Sequence, residues 1–491
     1  MSQFILFVPI FFPIIVGLLM LSLTRRKFSA AAVEVVVIIN SLMILGIILS
    51  GIGRDEGALF FTLATGLDVF FKVDGMGMVF AGLIAFLWPL ATIYAFEYME
   101  NDERKTSFFA FYTMTFGVTT GIAFSGNLVT LYIFYEMLTL VTFPLVLHYR
   151  DRFSRRAART YLYYSLGGAA FAFIGLVFVM TYGITTDFVY GGVINELSGG
   201  FSRNIMLGMY VLAFFGFGVK SAVVPVQRWL PSASVAPTPV TALLHAVAVV
   251  KSGAFAILRL TYFSFGAEFL RGTWAQYLVL AFVLITIFYG STMAVKEVHF
   301  KKRLAYSTIS NLSYILLGAV MMTPMGLIAA LSHLVFHAFM KICSFFCAGA
   351  VMHKAGLNYV YELDGIGRKM PVTFVCFTIA GISLTGIPLF AGFVSKWNIA
   401  RAVLDMGGKL SVIALAVLLY SAFMTGIYML SISVRAFCPD KGMDMAVLEG
   451  IHDPGWKMLV PIAIFAVIII LFGIYSQPLM SILSDIARGV L

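Results

Sequence analysis

Charge is what this sequence has least of. Of its 491 residues only 11% are Asp, Glu, Lys or Arg, against 61% hydrophobic, and the mean hydropathy is +0.97. A water-soluble domain carries about a quarter charged residues. A chain this poor in charge cannot coat a solvent-facing surface of its size, which excludes a soluble enzyme and a disordered chain. Cysteine is also scarce. Cys343, Cys347, Cys376 and Cys438 include no C-x-x-C pair and lie in or beside apolar stretches, so they read as small core residues and not as iron–sulfur or zinc ligands. No G-x-G-x-x-G loop opens a helix, and no polar stretch is large enough for a nucleotide domain. No cofactor is therefore expected in this chain, and an oxidoreductase subunit with its own redox centre is disfavoured.

What the sequence has is long apolar runs. A membrane helix takes about 20 apolar residues, and the hydropathy along this chain resolves about fourteen such runs, from 4–23 to 457–478. The first has no basic segment before it and is longer than a signal-peptide core, so it reads as a span that is retained. Residues 106–135 contain no Asp, Glu, Lys or Arg, and their one polar interruption, Ser125-Gly126-Asn127, reads as a tight turn between antiparallel spans. Residues 54–73 are polar and then β-prone, which predicts a short extracytoplasmic hairpin.

The 33 basic residues exceed the 23 acidic ones, but they are not spread as a nucleic-acid-binding surface would need. They cluster in alternate loops, at Arg25, Arg26 and Lys27, then at Arg150, Arg152, Arg155, Arg156 and Arg159, and on to Lys441. That set of loops has about a threefold excess over the other, which by the positive-inside rule places both termini away from the cytoplasm. Five basic residues escape the loops: Lys220, Lys251, Arg259, Lys341 and Lys396. Arg259 is near a span end and reads as a side chain snorkelling to the interface.

The four lysines lie inside apolar sequence, as do Glu136, His245, His333 and His337. A charge deep in a bilayer costs at least about 2.5–3.5 kcal/mol, so such groups are paired, hydrated or functional. His333, His337 and Lys341 recur every four residues, on one stripe of one helix. Lys220 precedes Pro225, and Lys396 follows the break TGIPLFAG. Broken helices are tolerated in membranes only where they face protein or a hydrated cavity, and two broken spans in corresponding places point to an inverted-repeat transporter. Taken singly, Glu136 has an alternative reading as an interhelical hydrogen-bonding residue and the histidines as satisfied core groups, while the His333/His337 pair lacks the carboxylate or thiolate company of a metal site and no metal is expected. A series of ionisable groups over five spans is better explained as a proton relay, because burial disfavours the charged form of acid and amine alike.

At these residues the sequence resembles the antiporter-like subunits of the respiratory complex I superfamily, shared with multisubunit sodium/proton antiporters and membrane-bound energy-converting hydrogenases. The stretches that carry the resemblance are FKVDGMGMVFAGL (71–83), IFYEMLTLVTFPLV (133–146), VKSAVVPVQRWLPSASVAPTPVTALLHAVAVVKSGAFAILR (219–259), FKKRLAYSTISNLSYILLG (300–318), HLVFHAFMKICSFFCAG (333–349) and ISLTGIPLFAGFVSK (382–396). The resemblance implies an all-α polytopic fold of about fourteen helices. Helices 1–3 and the hairpin would occupy 1–106, a first five-helix repeat 107–261, an inverted second repeat 275–437 and a last helix 438–491, with helices 7 and 12 broken. It further implies that Glu136 and Lys220 are the key acid and its partner lysine, and that His245 and Lys251 connect them to a central relay of His333, His337 and Lys341. Lys396 would be the terminal proton-exchange residue. The chain stops at Leu491, without the lateral arm of the distal complex I subunit, so quinone-reductase, hydrogenase and antiporter assemblies all remain open.

The function this implies is proton translocation within a complex I-related energy-converting complex of the inner (cell) membrane. The partners are other membrane subunits, including antiporter-like paralogues and a redox module, with protons as cargo and sodium left open. A multisubunit sodium/proton antiporter without a redox partner is the alternative, and a purely structural scaffold is the rival of another class. The relay is rich in nitrogen, whereas sodium prefers oxygen ligands, and this leans toward protons.

Overall fold

Long apolar runs in a bilayer fold as helices because lipid offers no partner to a backbone N–H or C=O. The computed structural model describes residues 2–22, 30–54, 56–64, 66–194, 202–439 and 445–490. The loop residues Arg25, Arg26, Lys27 and Lys441 lie outside the described residues. The first part of the chain forms α1 (Val8–Ser22), α2 (Ala30–Ser50), α3 (Gly75–Tyr98), α4 (Lys105–Ala123), α5 (Leu128–Val146) and α6 (Arg152–Tyr182). Then come α7 (Arg203–Gly218), α8 (Trp229–Ala233), α9 (Thr238–Ala246), α10 (Val249–Leu258) and the short α11 (Ala267–Leu270). The remainder is α12 (Trp274–Lys296), α13 (Phe300–Val320), α14 (Pro324–Ala355), α15 (Pro371–Thr385), α16 (Ala391–Asp405), α17 (Gly408–Phe437), α18 (Trp456–Ile474) and α19 (Gln477–Ala487).

Among the described residues ten helical stretches are long and apolar enough to cross a membrane, and α7 and α15 are shorter apolar helices. The chain is thus an all-α, multi-pass membrane protein. Residues 54–73 form the anticipated hairpin, with β1 (Ala58–Ala64) antiparallel to β2 (Leu67–Phe71). The tight turn at Ser125–Asn127 is also present, and the Asn127 side chain caps α5 by accepting from the Thr130 amide at 2.8 Å.

Two stretches are buried along their whole apolar window, Thr238–Phe265 and α14. The other candidate spans bury between 28% and 61% of theirs, so they form a shell whose outer faces are free for lipid or other subunits. The two central stretches carry His245, Lys251, His333, His337 and Lys341.

Loop contacts sort into two ends. At one end His148 Nε2 lies 2.9 Å from Asp102, Lys354 lies 3.4 Å from Glu97, and Asp453 accepts from the Thr373 hydroxyl. At the other the Gly126 amide donates to Phe70, the Leu128 amide to Thr186, and the Tyr190 hydroxyl to Ala487. These are the same two sets of loops that the Lys and Arg distribution separates.

The helices break where proline and glycine forbid continuation. After α7 the chain turns through Ala222, at φ 56°, and a cis Val224–Pro225 bond before α8. The span expected over 371–396 is split: α15 ends at Gly386, whose φ of 93° suits a residue without Cβ, and α16 restarts at Ala391. The last expected span, 457–478, ends early: α18 stops at Ile474 and a separate α19 follows.

Three readings are corrected. Arg259 does not snorkel. It is buried, paired through both terminal nitrogens with Asp74 (Nη2 to Oδ1, 2.6 Å), and its guanidinium carbon lies 4.7, 5.0 and 4.9 Å from the rings of Phe188, Phe255 and Phe263. The 183–194 segment covers this helix end, with the Val189 amide bonded to Phe263 and the Gly191 amide to Tyr262. Lys301, taken as a loop charge, is buried in the first turn of α13 and donates to the Ala236 carbonyl at 2.9 Å. Cys438 is exposed, while the other three cysteines are buried.

Candidate functional site

The ionisable residues named from the sequence lie along the buried middle of the molecule, in three groups. The first is at the break after α7. Lys220 is fully buried, and its Nζ is 4.0 Å from Oε1 of Glu136 on α5, whose side chain is 22% exposed. The ammonium also donates to the Tyr135 carbonyl and sits 3.4 Å from the centre of the Tyr135 ring. Tyr135 is fixed by its hydroxyl, which donates to Phe217 at 2.9 Å. The pair is therefore at the outer limit of an ion pair, with an aromatic face and a carbonyl supplying the rest of the cation's surroundings. Glu136 Oε1 is buried and accepts no hydrogen bond. Such a contact has room to close and to open. At an effective dielectric of 20, charges about 4 Å apart interact by about 4 kcal/mol, enough to change which group holds a proton.

The second group is central. Gly253 on α10 lets the Lys220–Ser221 backbone approach, since a Cβ there would overlap the Ser221 amide. Two residues earlier on the same helix, Lys251 Nζ contacts Nδ1 of His337. A neutral imidazole can accept there only if its proton is on Nε2. That Nε2 is buried and has no partner. The His333 ring stacks 5.5 Å from the His337 ring, with an interplanar angle of 26°, as the four-residue spacing requires. Lys341, one turn further, donates to Ser307 Oγ at 2.6 Å and to the Leu304 carbonyl at 3.2 Å. His245 lies 4.6 Å ring to ring from Phe345, and neither of its nitrogens has a partner.

The third group is at the second break. His333 Nδ1 is 2.9 Å from Ser395 Oγ, next in sequence to Lys396. Lys396 Nζ donates to the carbonyls of Leu384 and Thr385 at 2.6 and 3.1 Å and lies 5.1 Å from the centre of the Tyr314 ring. Those carbonyls are free because α15 ends there, and the C-terminus of a helix carries partial negative charge. The break itself builds the lysine's site.

The eight named residues thus lie in three neighbouring groups, with direct contacts between Lys220 and Glu136, Lys251 and His337, and His337 and His333. His245 is brought near the series without a hydrogen bond to it. Sequence reasoning missed the hydroxyls that join it: Ser395, Ser307, Tyr428, whose hydroxyl donates to Ser307 at 2.7 Å, and Tyr314, which donates to Ser421 at 2.6 Å. Serine and threonine in helices usually bond to their own backbone, as Thr425 does to Ser421, so nothing in the sequence separates the few that bridge helices. Among the described residues no three His, Cys, Asp or Glu side chains gather as a metal-ligand set.

The chain that carries this geometry has known relatives. Residues 125–425 match the family described as NADH:quinone oxidoreductase/Mrp antiporter, and residues 61–109 match the N-terminus of chain 5 of NADH-ubiquinone oxidoreductase (complex I). A Na(+)/H(+) antiporter subunit from Alkalihalophilus pseudofirmus is 30% identical over 440 residues, covering 84% of this chain and 53% of that protein. The chain thus spans about half the length of that relative. A NADH-quinone oxidoreductase subunit of the N type from Desulforudis audaxviator is 30% identical over 412 residues, covering 81% of this chain and 80% of that protein. Among solved structures, one component of the Mrp complex from a Dietzia species aligns with a TM-score of 0.84 at 20% identity, over 100% of this chain and 97% of that one. One component of an archaeal membrane-bound sulfane sulfur reductase aligns with a TM-score of 0.83 at 20% identity, over 98% and 97%.

Proposed function

The chain belongs to the NADH:quinone oxidoreductase/Mrp antiporter family and is an antiporter-like membrane subunit of the complex I superfamily; from that premise we propose that it moves protons through the buried series from Glu136 to Lys396. The observation that supports this reading is a set of close contacts among buried ionisable groups: a lysine beside an acid, a lysine on a histidine, a second histidine stacked on the first, and a serine hydroxyl on that histidine, one residue before the last lysine.

With Glu136 and Lys220 closed together, the carboxylate stabilises the ammonium. When they part, Lys220 loses that support in a buried setting and gives up its proton toward Lys251. Lys251 and His337 already share one hydrogen-bond position, so a proton arriving on one displaces the proton on the other's free side. His333, Ser395 and Lys396 continue the path, with Lys341 on a branch through Ser307. Lys396 exchanges with the end opposite the basic loops. In this reading the basic loops face the cytoplasm of a cell (inner) membrane and both termini face away from it.

The series contains no energy source, so the chain works beside other membrane subunits, antiporter-like paralogues among them, and takes its drive from a redox module or an ion gradient. Similarity to a Na(+)/H(+) antiporter component favours a second reading, a sodium/proton antiporter without a redox partner. Lys220→Ala in the assembled complex, reconstituted in vesicles, tests the first: proton uptake falls to background while the subunits still co-purify. Uptake at the wild-type rate would overturn it. Uptake that requires sodium would transfer the same residues to the second reading.

A further inference from the structure

Away from the relay, α2 carries a carboxyl group that the mechanism above does not use. Both oxygens of Glu34 are buried and have no hydrogen-bond partner. On neighbouring helices the Trp88 indole N–H of α3 is likewise buried and unpartnered, and the Tyr112 hydroxyl of α4 lies against Thr92, its ring 5.5 Å from that of Trp88. A cavity of about 220 Å³ opens at the end of the molecule that holds the basic loops, lined by Ala30 and Val33 of α2, Phe96 of α3, Phe109 of α4, Lys105 and Lys457. The helix registers align these features. Ala30 is one turn before Glu34, Phe109 three residues before Tyr112, and Phe96 one turn beyond Thr92 and two beyond Trp88, α3 running the opposite way. By register Glu34 lies next to Val33 of the cavity wall, with Tyr112 of α4 near its level.

From this arrangement we infer that Glu34 is a second proton-exchanging carboxyl, loaded from the basic-loop end through the cavity and separate from the Glu136–Lys396 series. Its ligand is a proton. Of the other titratable groups, α1 has none and Tyr112 is the one on α4 at this level; Glu100, Lys105 and Lys457 line the cavity, and on α3 Tyr94 donates to Phe346 while Glu97 is engaged by Lys354 and the Gly455 amide. Tyr98 is at the far end of α3, where its hydroxyl accepts from Thr238. No cation is paired with Glu34 among the described residues.

The test uses dicyclohexylcarbodiimide, which adds to protonated carboxylic acids in apolar surroundings. The intact complex in its membrane is treated at a series of pH values, and peptides carrying Glu34 and Glu136 are quantified by mass spectrometry. An adduct on Glu34 is expected, falling about tenfold per pH unit above its titration midpoint, unchanged in Glu136→Gln and lost in Glu34→Gln. No adduct at any pH, or one independent of pH, would overturn the inference. Loss of the Glu34 adduct in Glu136→Gln would overturn its separateness from the relay. The inference does not depend on the relay reading, because the wild-type adduct is measured whether or not relay variants transport.

Discussion

At the first helix break Lys220 has a carboxylate 4.0 Å away, whereas at the second Lys396 has two backbone carbonyls and no acid. Both lysines are buried beside an aromatic ring, Tyr135 in one case and Tyr314 in the other. The partners differ in what they can do. A carboxylate on a separate helix can move or take a proton, so the support it gives Lys220 can be withdrawn. Carbonyls at the end of α15 are fixed by the backbone and never titrate, so the support they give Lys396 is constant. In the proposed reading the first break acts as a switch and the second as a fixed station.

The comparison can be broken in graded steps. The largest effect is expected from Lys396→Ala, which removes the station: transport in vesicles falls by at least about tenfold, the equivalent of 1.4 kcal/mol in a barrier, with assembly intact. Unchanged transport would make the second break a scaffold. Next, Arg259→Met provides a control pair, since Arg259 and Asp74 are clasped through two contacts and are not part of the series. Leaving Asp74 buried without its cation costs about 3–5 kcal/mol. Thermal unfolding of the complex is expected to fall, while the transport rate per folded complex stays near wild type; the reverse pattern would place Arg259 in the conduction path. Gly386→Val forces a β-branched residue to a φ of 93°, a strain of about 1–3 kcal/mol that displaces the carbonyls holding Lys396. Transport should drop, though less than in Lys396→Ala. The smallest effect is expected from Ser395→Ala, which removes one hydrogen bond to His333, worth about 0.5–1.5 kcal/mol. Its transport should slow severalfold and no more.

Much of this was legible in the sequence because charges are rare in it. Glu136, Lys220, Lys251, Lys341 and Lys396 stand out against apolar runs, and the spacing of His333, His337 and Lys341 fixes their shared face. The hairpin at 54–73 and the turn at Ser125–Asn127 follow from local polarity. Contacts that depend on distant segments were not legible. Arg259 looks like an interfacial residue until Asp74, 185 positions away, closes on it. Lys301 looks like a loop charge until Ala236 covers it. Glu34 lies so near the start of α2 that hydropathy alone passes over it, and only the packing of α3 and α4 shows that its oxygens are sealed. Polarity along a chain is a one-dimensional property, but the partner of a buried charge is set by packing.

The claim that the first break is a switch rests on Glu136. Glu136→Gln keeps the side chain's size but removes its charge, so Lys220 has no carboxylate to close upon. Proton uptake by vesicles containing the assembled complex with this one substitution is the direct measurement. Uptake at background level, with all subunits present, is the expected result; uptake at the wild-type rate would contradict it.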